Sequence, residues 1–357
     1  MSTFNELGLI PEILEAITTL GFETPTPVQQ QSIPMLLAGK TDLLALASTG
    51  TGKTAAFGLP LLQQIDPSNK KTQALILCPT RELCLQIVND FKKFSANLHG
   101  VKTVAVYGGS SVRDQIRALK SGTQIIVATP GRFMDMLERG AANVENIDVV
   151  VLDEADEMLN MGFQEDIETI LKQTNDTRST WLFSATMPNE IRKIANKYMH
   201  HPQEIKIASS TATNTNITHE YYIAKSKEKY QTLKRLADFN PDIFAIVFAR
   251  TKAETQELAE WMSRDGYNAD ALHGDLSQAQ REKVMNKFRK KQLQLLIATD
   301  VAARGIDVND ISHIIHYSLP DENEVYVHRS GRTARAGKTG ISMAIIQPKE
   351  QGKIRQI

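Results

Sequence analysis

The sequence predicts an α/β protein of two tandem domains, each built on a parallel sheet, joined by a short flexible linker. Three observations carry this. At 357 residues the chain is too long for one ordinary hydrophobic core. Short apolar runs without polar alternation recur, each followed by a turn and an amphipathic segment, as strands buried on both faces and covered by helices require. From Ser209 to Asn216 the chain reads Ser-Ser-Thr-Ala-Thr-Asn-Thr-Asn, small and polar, with nothing large enough to pack.

The elements follow in order. Ile10, Ile13, Leu14, Ile17 and Leu20 form one helical stripe that closes at Gly21. Strand-like runs cover Leu43 to Ala47, Ala74 to Cys78, Val104 to Tyr107, Ile125 to Ala128, Val149 to Leu152 and Trp181 to Ser184. Between them Leu83, Ile87 and Phe91 keep helical phase, as do Ile167, Ile170 and Leu171. Past the polar stretch the rhythm resumes at Ala245 to Phe248, Leu295 to Ala298, His313 to Tyr317 and Ile341 to Ile346, with a helix over Glu254 to Ser263. The expected division is domain 1 over 1–208, linker over 209–217 and domain 2 over 218–357. Gly352 to Ile357 reads as a helix beginning without a stop signal, the pattern expected of a fragment of a longer protein.

Basic and acidic side chains balance at 41 each, so a polyanionic partner must be met by a local stripe rather than by net charge. No basic leader or membrane-length apolar run is present, and the chain is expected to be cytoplasmic, free of the membrane and monomeric. Two cysteines, Cys78 and Cys84, make neither a disulfide framework nor a zinc site and read as structural thiols.

Chemistry concentrates first at Ala47-Ser48-Thr49-Gly50-Thr51-Gly52-Lys53-Thr54, after a strand and before an apolar helix. Small, permissive residues let backbone N–H groups wrap a phosphate at a helix N-terminus. Lys53 would reach the terminal phosphates and the Thr54 hydroxyl would hold Mg²⁺. Alone, Gly-Lys-Thr is as well explained by a surface loop, and Ala47 stands where the P-loop pattern has glycine. The second site changes the balance. At Asp153-Glu154-Ala155-Asp156, three carboxylates crowd the end of the apolar strand Val149 to Leu152. Such a cluster wants a cation or solvent. In a P-loop protein the strand-end carboxylate, Asp153, holds Mg²⁺, and Glu154 is placed to orient or deprotonate the attacking water.

Asp153 to Asp156 spells D-E-A-D, and from Phe4 to about Gly340 the chain resembles the helicase core of the DEAD-box RNA helicases, with the motifs in the family's order and spacing. The resemblance implies two RecA-like P-loop-type domains, an ATPase site completed by both, and RNA as partner. Gly21 to Gln29 is similar to the family's adenine-reading segment. It implies that Gln29 reads the adenine edge and Phe22 stacks on the ring, with Phe4 as the upstream aromatic, so that ATP is preferred to GTP. Ser184-Ala185-Thr186 resembles the coupling motif, whose hydroxyls would bond Asp156. His328-Arg329-Ser330-Gly331-Arg332-Thr333-Ala334-Arg335 matches H-R-x-G-R-x-x-R, with Ala334 where glycine is usual. His328 is grouped with the coupling residues, and Arg332 and Arg335 are implied to be arginine fingers. Gly305 and Asp307 resemble the segment that approaches the ribose.

For RNA, the resemblance implies contacts from Pro79, Thr80, Arg81, Gly109, Thr129, Pro130, Gly131 and Arg132 in domain 1. In domain 2 it implies Arg250, Thr251, Gly274, Gln278, Arg281 and Thr299, with RNA lying across the opposite end of both sheets from the nucleotide. Glycine, threonine and backbone N–H outnumber lysine there, a composition that grips phosphate and sugar with little base information. The expected function is RNA-stimulated ATP hydrolysis with local, non-processive duplex opening or remodelling of RNA–protein particles, the latter with further protein partners. An ATP-gated RNA clamp needs the same residues and stays open. A DNA translocase of the wider class would respond equally to DNA.

Overall fold

The computed structural model describes residues 3–48, 50–207, 216–303, 306, 308, 310–334 and 338–355. The chain divides into two compact units, Met1–Ser209 and Ser210–Ile357.

After a 3-10 turn at Phe4–Leu7, unit 1 runs α1 (Pro11–Thr19), α2 (Pro27–Leu37), β1 (Leu43–Leu46), α3 (Lys53–Gln64), β2 (Ala74–Leu77), α4 (Arg81–Phe94), β3 (Thr103–Val106) and α5 (Val112–Lys120). It continues with β4 (Ile125–Ala128), α6 (Pro130–Glu138), β5 (Val149–Leu152), α7 (Ala155–Asn160), α8 (Gln164–Gln173), β6 (Ser179–Ser184), α9 (Asn189–Tyr198) and β7 (Gln203–Lys206). The strands pair in parallel in the order β3-β4-β2-β5-β6-β1-β7. Alternate residues feed two apolar layers, one on each face: Val149 and Val151 of β5 join one, Val150 and Leu152 the other. That is why the strand sequences lack polar alternation.

Unit 2 opens with β8 (Ile217–Ile223) and continues α10 (Lys229–Phe239), β9 (Ala245–Phe248), α11 (Lys252–Arg264), β10 (Ala269–Leu272), α12 (Gln278–Arg289) and β11 (Leu295–Ala298). Then come α13 (Asp300–Ala303), β12 (His313–His316), α14 (Asn323–Ser330), β13 (Gly340–Ile346) and α15 (Gln351–Ile354). Its parallel sheet has the order β10-β11-β9-β12-β13-β8.

Three strands escaped the sequence reading. β7 lies at a sheet edge and buries only Ile205 of Gln-Glu-Ile-Lys. β8 and β10 are also edge strands whose outer residues stay partly exposed, so neither presents a continuous apolar run. Both cysteines are buried, Cys84 in the first turn of α4.

In a parallel sheet with helical crossovers every strand-to-helix loop leaves from the carboxyl edge. Strand order then decides which loops become neighbours.

Candidate active site

In unit 1 the phosphate-loop segment follows β1, the acidic segment follows β5 and Ser184-Ala185-Thr186 follows β6. These three strands are contiguous, as β5-β6-β1. The segments expected to touch RNA follow β2, β4 and β3, contiguous in the other half of the sheet as β3-β4-β2. The expectation of opposite ends is therefore corrected: both groups of loops share the carboxyl edge, sorted into two halves.

The phosphate loop is shaped by its glycines. Gly50 and Gly52 have φ of 80° and 87°, left-handed values that any Cβ would strain, and Gly52 hands the chain into α3 at Lys53. A Cβ on Gly52 would also run into the Gln29 amide and the Thr26 hydroxyl oxygen. The buried Lys53 donates from Nζ to Ala47 O at 3.1 Å, and Thr51 Oγ1 donates to Ser48 O at 2.8 Å. Thr54 follows Lys53 in the first turn of α3.

Gln29 is buried and tied on both sides: its Oε1 accepts from Thr26 N at 2.9 Å and its Nε2 donates to Gly52 O at 3.1 Å. Its amide thus braces the phosphate loop, keeping one further donor and one lone pair for a ligand. Phe22 is half-buried, with its ring centroid 5.9 Å from Phe4 and 5.9 Å, edge-on, from Phe94. Phe4 is buried in the core and supports Phe22.

Asp153 and Asp156 play different parts. Asp153 is buried at the end of β5 and accepts from Glu154 N at 3.0 Å. Burial pushes its carboxyl up to about 7, against the pull of the Lys53 charge, with Glu154 and Asp156 adding to the rise. Glu154 is buried and sits in the left-handed region at φ 51°, ψ 51°. For a residue with a Cβ that conformation costs roughly 1–2 kcal/mol and is stored where the surroundings over-determine it. Asp156 turns away from Asp153: its Oδ2 accepts from Ala185 N at 3.1 Å, Thr186 N at 2.9 Å and Thr186 Oγ1 at 2.9 Å, while Oδ1 accepts from Glu157 N at 3.1 Å. Of the two hydroxyls expected on Asp156, only that of Thr186 arrives; Ser184 Oγ donates to Thr186 O at 2.7 Å.

The other half of the edge is held by helix caps. Thr80, next to the buried Pro79, caps α4 by accepting from Leu83 N at 3.3 Å, and Thr129 and Pro130 open α6. The Arg81 guanidinium lies 4.6 Å over the Tyr107 ring. Arg132 Nη1 donates to Ser110 O at 3.2 Å and Gln115 Oε1 at 3.3 Å. Gly109 is exposed at φ 76°, and Gly131 faces Asp166 and Phe163.

In unit 2 the residues expected to touch RNA are grouped as well. Arg250 and Thr251 follow β9, Gly274, Gln278 and Arg281 follow β10, and Thr299 follows β11, so their strands are contiguous as β10-β11-β9. Thr251 caps α11 at 3.1 Å from Glu254 N, and Thr299 Oγ1 accepts from Ala302 N at 3.4 Å. Arg250 Nη2 pairs with Asp321 at 3.0 Å, Gln278 Nε2 donates to Glu282 at 3.3 Å, and Arg281 Nη2 donates to Ala302 O at 2.7 Å. Gly274 lies beside Lys252. His328 is half-buried on α14; Arg332, just beyond that helix, is buried and donates from Nη1 to Ile306 O at 3.3 Å. Ala334 sits at φ 54°, the left-handed value that explains why glycine is usual there. Thr49, Gly305, Asp307 and Arg335 lie outside the described residues.

Two residues were missed. Thr26 Oγ1 is buried beside Gly52 with no hydrogen-bond partner. Arg329, buried to 4% exposure, forms a fork on Asp300, with Nε to Oδ1 at 2.5 Å and Nη2 to Oδ2 at 2.7 Å, and donates from Nη1 to Ser318 O at 2.7 Å. It thereby joins the segment after β11 to helix α14. In the sequence Arg329 stood only as a matched arginine of H-R-x-G-R-x-x-R, with no role attached.

A parallel-sheet fold with a glycine-shaped phosphate loop after one strand and a buried carboxylate ending another, one strand (β6) away, defines a P-loop nucleoside triphosphatase. Residues 26–194 match the DEAD/DEAH box helicase family, and residues 228–337 match the helicase conserved C-terminal domain. The DEAD-box ATP-dependent RNA helicase CshA of Geobacillus kaustophilus is 47% identical over 357 residues, covering 100% of this chain and 76% of that protein. The ATP-dependent RNA helicase CshA of Listeria monocytogenes is 47% identical over 99% of this chain and 68% of its own length. Among solved structures, S. cerevisiae Dbp5 bound to RNA and ADP BeF3 superposes with a TM-score of 0.90 at 28% identity, over 100% of this chain and 92% of that one. The chain belongs to the DEAD-box ATP-dependent RNA helicase family.

Proposed function

We infer that this protein hydrolyses ATP in response to RNA and uses the cycle to open short duplexes or remodel RNA–protein particles. The observation that carries the reading is the Asp156 carboxylate, which binds the acidic segment after β5 to the turn after β6 through three hydrogen bonds. A shift of the nucleotide-facing strand end is thereby transmitted to a second loop. Coupling of this kind is typically worth about 1–3 kcal/mol, enough to make hydrolysis depend on a second ligand.

The nucleotide fits the residues present. The unpartnered Thr26 hydroxyl, the remaining capacity of Gln29 and the half-buried Phe22 provide for a base beside the phosphate loop. Lys53 and the N–H groups opening α3 provide for phosphate. Mg²⁺ also fits: the buried Asp153 carboxylate and the Thr54 hydroxyl are the sparse, hard-oxygen set this ion takes together with phosphates. Bound there, it would neutralise charge on the phosphate oxygens.

Glu154 orients the attacking water and takes its proton as the bond to the leaving diphosphate breaks. Arg332 and Arg335 act as arginine fingers, with Gly305 and Asp307 toward the ribose. The half-edges β3-β4-β2 and β10-β11-β9 grip RNA through backbone contacts. Base-pair steps cost about 1.4 kcal/mol each in DNA, so a coupling of this size opens only a few pairs per cycle. The connection over 209–217 keeps the two halves of the machinery on one chain. No helix among the described residues is long and apolar enough to cross a membrane; we place the protein in the cytoplasm, acting as a monomer.

Strand displacement on a short RNA duplex tests the reading. ATP-dependent displacement is expected; tight ATP-dependent RNA binding without displacement would make the protein a clamp, and equal stimulation by DNA a translocase.

A further inference from the structure

Beneath α14 lies a chain of buried polar groups that the proposed mechanism does not use. His316, fully buried at the end of β12, has Nε2 3.1 Å from Ser342 Oγ and 3.3 Å from Ser330 Oγ, and these two hydroxyls are 2.9 Å apart. Ser342 Oγ lies 3.4 Å from the Tyr326 hydroxyl, which lies 2.9 Å from His219 Nδ1. The His316 ring stacks on Tyr326 at 4.1 Å between centroids and 13° between planes, and its Nδ1 is 3.5 Å from Arg329 Nη1.

The chemistry of the partners fixes the proton. A guanidinium only donates, so Nδ1 must accept and the imidazole proton must be on Nε2, directed at the serine hydroxyls. Protonating Nδ1 would set a second positive charge against Arg329. Burial and the Arg329 charge hold His316 well below its usual pKa, which keeps it neutral.

We propose that His316 is a positioning residue for the reaction: a neutral Nε2–H imidazole, clamped by Tyr326, Ser330 and Ser342, that seats the Arg329 fork on Asp300 and thereby sets α14 and Arg332, just beyond it. The fork needs such a seat. Its two bonds to Asp300 fix its plane, and Ser318 O takes one Nη1 hydrogen. The guanidinium also lies over the Phe248 ring, 4.8 Å from Cζ to the ring centroid, a face that offers no lone pair. This inference rests on the reading of Arg332 as a finger in an RNA-stimulated ATPase.

The test compares two amides. In His316→Asn the side-chain oxygen falls where Nδ1 was and still accepts from Arg329, whereas in His316→Gln the amide reaches toward the serines. His316→Phe keeps the stack and has neither bond. RNA-stimulated ATP turnover of the full chain is expected to fall about tenfold in the Gln and Phe variants and to stay within about twofold in Asn. KM for ATP should stay within about twofold throughout, because most of the residues read as nucleotide contacts lie in unit 1. Tryptophan fluorescence of Trp261 monitors folding; if the Phe variant does not fold, the Asn–Gln pair still decides. Equal turnover in Asn and Gln overturns the proposal while leaving the function intact. A wild-type chain without RNA-stimulated turnover overturns both. Nitrogen NMR of His316 gives a second reading: an Nε2–H tautomer near pH 7 is expected, and an Nδ1–H tautomer or an imidazolium rules the seat out.

Discussion

The two units hold their functional loops by different means. In unit 1 the constraints are backbone ones: left-handed Gly50, Gly52 and Glu154, a lysine on its own loop's carbonyl, and Asp156 accepting mainly from main-chain N–H groups. In unit 2 they are side chain on side chain: Arg329 on Asp300, and His316 among Ser330, Ser342 and Tyr326. Backbone constraints are set by short local sequence and change little when a neighbour is substituted. A side-chain network depends on every member, because each buried group left without a partner carries its full desolvation cost. Unit 1 is therefore a fixed cradle, and unit 2 the part whose setting can be tuned by substitution.

The largest effect that would bear on this contrast is catalytic. Glu154→Gln should preserve ATP binding and lower turnover by about 10² to 10⁴, the range of general-base catalysis; a variant that keeps RNA-stimulated turnover removes Glu154 from that role. Next come stability effects, separable because Trp181 and Trp261 are the two tryptophans, one in each unit. Asp156→Asn turns an amide NH₂ or a weakened acceptor toward several donors and should lower the Trp181-monitored stability by about 3 kcal/mol. Asp300→Asn leaves the buried Arg329 partly unpaired; because Asp300 is about a third exposed, roughly 2 kcal/mol is expected in the Trp261 signal. Losses appearing in the other unit's signal would break the comparison.

Acid should separate the units in the same way. His219, His313 and His316, all in unit 2, have pKa values lowered chiefly by burial. The unfolded chain takes up protons below about pH 6.5 that the folded unit refuses, so this stability is complete above that pH and lost as pH falls beneath it. For the fully buried His316 alone the slope steepens toward about 1.4 kcal/mol per pH unit as pH falls well below 6.5, read as a falling Trp261 midpoint in urea between pH 7 and 5.5. The smallest effect belongs to Ala334. Replacing it with glycine relieves a left-handed Cβ and should stabilise unit 2 by about 1 kcal/mol, measured by the same titration.

Legibility followed the same division. The phosphate loop, the acidic strand end and the central strands are contiguous in sequence and were readable from residue types alone. The edge strands β7, β8 and β10 were not, because each leaves residues partly exposed. Neither the Arg329–Asp300 fork nor the seat around His316 could be read, since their members lie on different elements and each looks ordinary alone. Ala334 was visible only as a departure from the family pattern; the structure supplied the reason it matters. The placement of the loops expected to face RNA was taken from the resemblance and was misread, because residue types say nothing about strand order, which sorts those loops along the shared edge.

The strand order also constrains how each unit can be assembled during synthesis. β1, which launches the phosphate loop, pairs with β6 and β7, and β8 pairs with β13. Each early strand must wait, unpaired, for partners made near the end of its own unit. Ribosome-bound chains stopped before Ser179, or between β8 and Gly340, would carry β1 or β8 without its neighbour, the kind of exposed edge that chaperones bind and that aggregates first. Completion of a unit's last strands is thus what commits it to fold, and a nascent chain cannot have a working nucleotide loop much before unit 1 is whole.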